Sequence, residues 1–135
     1  MVQQRTRNEV PVEETWNLAD LFATPEEWEH EREAVLRALA RLEELRGTLA
    51  AGPSQVLKVL TLADELDQRV SKLYAYALLA RDQDTRDTVA AERYERAVHL
   101  GTLAGRASAW IAPELLATYD DASLLRLPEE EPGLV

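Results

Sequence analysis

The stretch Leu73–Asp87, LYAYALLARDQDTRD, decides the fold. Its first half has the leucine, alanine and tyrosine content of a helix end. Its second half is an acidic turn, and Asp87 stands where it can cap a new helix at Thr88. Two helices joined by a short polar turn are the seed of a bundle. Upstream, Ser54 is placed to cap a helix that runs to about Arg81, about 28 residues or ~42 Å. Its apolar arc holds Val56, Val59, Leu60, Ala63, Leu66, Val70, Leu73, Tyr74 and Ala77, wide enough to pack between two neighbours. Asp67 falls inside that arc and is expected to meet an arginine or a cap. Downstream, a helix is expected from about Thr88 to Ala112, stopped by Pro113, with a short helical turn at Glu114 to Tyr119.

An earlier helix opens at Thr24. Pro25 suits its first position, and Glu27 completes a Thr-x-x-Glu capping box. Trp28, Val35, Leu42 and Leu49 then recur every seven residues, and Gly47 or the Gly52-Pro53 pair ends the run. Trp16, Leu18, Leu21 and Phe22 supply an apolar plug ahead of it. No window alternates with period two. The expected fold is all-α: an antiparallel bundle of three long helices, with a short N-terminal plug and a short C-terminal helical turn. Residues 1–14 read as a loose polar segment, 15–127 as the helical domain and 128–135 as a tail.

Composition narrows the function classes. At 135 residues, with 46% hydrophobic and 30% charged residues, the chain is one globular domain. A net charge of −10 without a basic cluster makes nucleic acid and anionic membranes poor partners. The absence of cysteine excludes disulfides and thiolate chemistry and suits a cytoplasmic protein. No stretch has the apolar length of a membrane span.

Candidate sites are sparse. His30-Glu31-Arg32-Glu33-Ala34 begins like the zinc motif HExxH, which needs histidines at i and i+4. Position 34 is alanine, so one ligand is missing. No catalytic residue, metal ligand or cofactor is therefore expected in this chain. Asp82, Asp84 and Asp87 lack the glycine and glutamate of a calcium loop and read as turn and cap residues. Ala97, Gly101, Gly105 and Ala109 suggest a close helix–helix approach, so Gly101→Leu is expected to overpack it. The main apolar arc of the third helix runs through Ala90, Tyr94, Ala97, Val98, Gly101, Ala104 and Ile111; Leu103 and Trp110 lie off it, on a stripe with His99 and Arg106. Tyr76 and Leu79 lie off the main face of the second. These six residues are the expected docking surface.

Thr15-Trp16-Asn17-Leu18-Ala19-Asp20-Leu21-Phe22, Thr24-Pro25-Glu26-Glu27-Trp28, Leu73–Asp87 and Ile111-Ala112-Pro113-Glu114-Leu115-Leu116 occur in that order. In order and separation they resemble the N-terminal helical region of oligoendopeptidase F, a zinc metallopeptidase family related to thimet oligopeptidase. The resemblance covers roughly residues 12 to 134. It implies a longer, nearly all-helical protein whose HExxH helix and further glutamate ligand lie far downstream, so that zinc belongs to that portion alone. It also implies that the matched helices form part of the wall of a deep channel admitting short peptides. On that reading the chain is a non-catalytic portion, a fragment or split gene product, whose partner is the catalytic portion or a second copy. The alternative is a stand-alone helical interaction domain.

Overall fold

The computed structural model describes residues 18–120, Ser123 and Arg126. The expectations for 1–14, Trp16 and 128–135 lie outside the described residues. The described residues are helical: α1 (Leu18–Leu21), α2 (Pro25–Glu44), a 3-10 turn (Leu49–Ala51), α3 (Pro53–Gln83), α4 (Thr88–Ser108) and α5 (Ile111–Thr118). The three long helices α2, α3 and α4 pack on one another.

Local chemistry sets most of the boundaries. Thr24 Oγ1 accepts from Glu27 N at 3.1 Å, and the Glu27 carboxylate accepts from Ala23 N at 3.0 Å. The first bond satisfies an N–H that helix geometry leaves orphaned at the start of α2, and the second ties the residue ahead of the cap to the first turn. Asp87 caps α4 by accepting from Val89 N and Ala90 N at 3.0 and 3.1 Å. Within the turn before it, Asp84 accepts from Arg86 N at 3.0 Å, so these aspartates are turn and cap residues, as expected.

Other boundaries differ from the sequence reading. α2 stops at Glu44, and Gly47 follows with φ +90°. Leu49 is fully buried, yet it lies on the 3-10 turn and not on the helical stripe of Trp28, Val35 and Leu42. α3 opens at Pro53 behind Gly52, whose φ of +135° suits glycine, so Ser54 is inside the helix and not its cap. Pro113 does not end α4. It sits in the first turn of α5, where its missing N–H costs nothing. In an unbroken helix its ring would strike the carbonyl of Ala109, and the chain breaks helix at Ala109–Trp110 instead.

The core runs between α2, α3 and α4 around Trp28, Val35, Leu42, Val59, Leu66, Leu73 and Leu100. Trp28 is fully buried and donates Nε1–H to the carbonyl of Leu73 at 2.9 Å, tying α2 to the middle of α3. Phe22, beside α1, meets Tyr76 edge-on with ring centroids 5.5 Å apart.

The glycines of α4 also depart from expectation. A methyl built on Gly101 or Gly105 meets no atom within 4 Å beyond its own helix backbone and chain neighbours. No close backbone approach exists there, so the overpacking expected of Gly101→Leu has no basis. Interior helix glycine costs about 1 kcal/mol relative to alanine. Gly101→Ala and Gly105→Ala should therefore each raise the urea midpoint, by about 1 kcal/mol of stability at most. An unchanged or lower midpoint in both would mean that the space is filled.

Candidate docking groove between α3 and α4

The half-motif at His30 does not become a metal centre. His30 is exposed, and Glu31 is committed to the opposite helix. Arg69 of α3 donates to both Glu31 oxygens, Nε at 2.9 Å and Nη2 at 2.6 Å. This bidentate pair holds the Glu31 carboxyl below the usual carboxylate range. The hydrogen bond from Arg69 is the main cause, aided by the charges of Arg69 and Lys72 and opposed by desolvation. Among the described residues no group of histidines and carboxylates can hold a metal ion. The described residues do not fit zinc.

A carboxylate with a lowered folded pKa stabilises the fold above its unfolded pKa, and that contribution disappears as pH falls through the folded value. Glu31→Gln should accordingly be less stable than the native chain at neutral pH and equal to it in acid. The pair is about a third exposed, so the difference should stay below about 1 kcal/mol. Thermal melts of both forms across pH 7 to 3 would show convergence. A constant gap would assign the effect to packing.

Glu29 joins Arg32 and Arg96, linking α2 to α4. Arg93 lies over the rings of Trp28 and Tyr76, with centroids 6.0 and 5.9 Å away. At the other end of the bundle, Glu114 of α5 accepts from Gly47 N at 2.6 Å and Leu49 N at 3.1 Å. Tyr119 donates its hydroxyl to the Leu49 carbonyl at 2.7 Å. The loop after α2 is thus clamped by residues 65 to 70 positions away. In the sequence the only signal of this role is a glutamate beside a proline in a first helical turn.

The six residues expected to form a docking surface are not left together in the open. Tyr76 and Trp110 are 5% and 6% exposed and belong to the protein's own core. Leu79 and Leu103 are half-buried against that core, while His99 and Arg106 are exposed. The reasons are local. Phe22 and Arg93 meet the Tyr76 ring, and the break at Ala109–Trp110 re-aims Trp110 away from the stripe that a continuous helix would give it. The Trp110 indole N–H has no hydrogen-bond partner among the described residues.

The uncovered apolar surface lies elsewhere. Leu60, Tyr74 and Val98, which the helical wheel placed on the packed arcs, are 37%, 38% and 45% exposed. Asp67, expected to find a partner inside that arc, is also exposed. Tyr74 and Val98 line an open groove of about 550 Å³ between α3 and α4 with Val70, Ser71, Tyr94 and Gly101. Tyr74 and Tyr94 hydroxyls hydrogen-bond at 3.1 Å, and Arg81 stacks on the Tyr94 ring at 3.9 Å. Val70 and Gly101 are shared with a second cavity of about 200 Å³, walled by Asp67, Gly105 and Ser108 among others. α4 therefore has two apolar sides. Ala90, Ala97, Leu100 and Ala107 are buried, and Val98 with Gly101 is not.

The relatives are oligopeptidases, and the similarity spans most of this chain. Oligopeptidase PepF of Bacillus subtilis is 35% identical over 115 residues, 85% of this chain and 17% of the relative. The chromosomal oligoendopeptidase F of Lactococcus lactis subsp. cremoris is 34% identical over 113 residues, 83% of this chain and 19% of that protein. Group B oligopeptidase PepB of Streptococcus agalactiae is 27% identical over 126 residues, 91% of this chain and 21% of that protein. The chain is homologous to part of the oligoendopeptidase F peptidases, and it spans about a fifth of the length of these relatives. No family model matches, and no solved structure matches significantly.

Proposed function

We propose that this region is a non-catalytic helical portion of an oligoendopeptidase F-type peptidase, which lines or covers the channel through which peptides reach an active site carried elsewhere in the protein. One observation carries this reading: the residues that make the chain resemble peptidases are structural. Thr24 and Asp87 are helix caps, Trp28 bonds the backbone of α3, and Glu114 clamps a loop. The glutamate of the half-motif, Glu31, is spent on Arg69. Among the described residues no group could hold the metal on which peptide hydrolysis in this family would depend. What these residues supply is a rigid, acidic wall. Among them no helix is long and apolar enough to cross a membrane.

The test is a chimera in which this chain replaces the matched segment of the Bacillus subtilis relative, assayed on a quenched fluorescent peptide. The chimera should hydrolyse it, whereas the isolated chain should be inactive and free of stoichiometric zinc after dialysis. Chelator-sensitive turnover by the isolated chain would overturn the reading. A folded but inert chimera would favour the stand-alone interaction domain.

A further inference from the structure

We infer that the groove between α3 and α4 is the seat of one further amphipathic helix, supplied by polypeptide outside the matched stretch of an oligoendopeptidase F-type protein. The inference rests on the functional reading above. Its physical grounds are the groove's shape, its charge and the length of the relatives.

The two adjoining cavities follow α4 from Tyr94 to Ser108, about 21 Å of helix, so the occupant spans about four turns. Val70, Ala97 and Val98 flank a floor opened by Gly101, with Ser71 and Thr102 also in the lining. Large aliphatic side chains at i and i+4 of an incoming helix could drop onto Gly101 and Gly105, where nothing in this chain occupies the space. Aromatic edges at Tyr74 and Tyr94 close one end.

The charge selects against a second copy. Asp67 lines the groove, and exposed Asp64 and Glu95 flank it on either helix by their spacing from Asp67 and Val98. Arg81 at the far end is already stacked on Tyr94 and paired with Asp82. A second chain would bring a further charge of −10. A helix with lysine or arginine beside its apolar stripe meets complementary charge instead. The matched stretch is only 17–21% of each relative, so most of their polypeptide is available to provide that helix.

The experiment uses overlapping peptides of about 20 residues covering the rest of the Bacillus subtilis relative, probed with the fluorescently labelled full chain. Native chain should bind one or a few peptides that pair an aliphatic stripe with basic residues, and added salt should weaken that binding. Gly101→Leu, which fills the floor, should lose at least tenfold in affinity while keeping its helical signal; Val89→Leu, exposed elsewhere on α4, should bind as native. Equal binding by native chain and Gly101→Leu would overturn the proposal. So would unfolding of both Gly101→Leu and Gly105→Leu, because the floor would then not be open. A native dimer abolished by Gly101→Leu would assign the groove to a second copy and overturn it as well. None of these readouts uses peptidase activity, so an active chimera alongside a silent array would refute the docking and leave the family reading standing.

Discussion

Trp28→Ala should lower stability by about 3–5 kcal/mol, the range for removing a large aromatic from a packed core. Domains of this kind have a whole stability of order 5–15 kcal/mol, so the loss is a large fraction of it and the variant should melt well below the native chain. Two terms add. The indole is fully buried among α2, α3 and α4, so its loss leaves a void lined by several helices. Its Nε1–H also bonds the Leu73 carbonyl at 2.9 Å. Trp28→Phe separates the terms, because it keeps most of the ring and deletes the donor. It should cost about 2 kcal/mol, of which the hydrogen bond accounts for about 1. Urea unfolding monitored by circular dichroism measures both. If Trp28→Phe were as damaging as Trp28→Ala, the bond and not the packing would dominate.

Glu114→Ala should cost about 1–2 kcal/mol, with its effect concentrated at the end of the bundle where α5 meets the loop. The carboxylate accepts from Gly47 N and Leu49 N, and bonds to a charged acceptor exceed the neutral average. Both amides should exchange with deuterium faster in the variant, while those in the middle of α3 should not change. Tyr119→Phe removes the companion bond to the Leu49 carbonyl and should cost about 1 kcal/mol. The double variant should cost less than the sum, since both groups hold the same loop. Strict additivity would mean that they act on separate structures.

The caps and periods of this chain were readable because they act within one turn of helix. Thr24, Pro25 and Glu27 start α2 through bonds three or four residues long, and Asp87 starts α4 in the same way. Sidedness was less readable. A helical wheel shows that α4 has apolar residues on two sides but not which side a partner covers, so it puts Val98 inside and Trp110 outside. The break at Ala109–Trp110 decided Trp110, and Phe22 packing from beside α1 decided Tyr76. Leu49 kept the seven-residue rhythm of α2 while leaving its helix, because burial and helicity are separate properties. The Glu114 clamp was invisible for a simpler reason: its partners are backbone amides, which every residue has.

The clamp also bears on the order in which the chain assembles. α3 and α4 meet across the turn at Asp84–Asp87, so their contacts close a short loop and cost little chain entropy. The bonds from Glu114 and Tyr119 close loops of 65 to 70 residues and are useful only once α2 has delivered Gly47 and Leu49 to the right place. The α3–α4 pair is therefore the natural nucleus, and α5 locks late. By the same logic, among the described residues α5 opens from the native state before α3 and α4 separate, which would make the clamped end an early target for proteases.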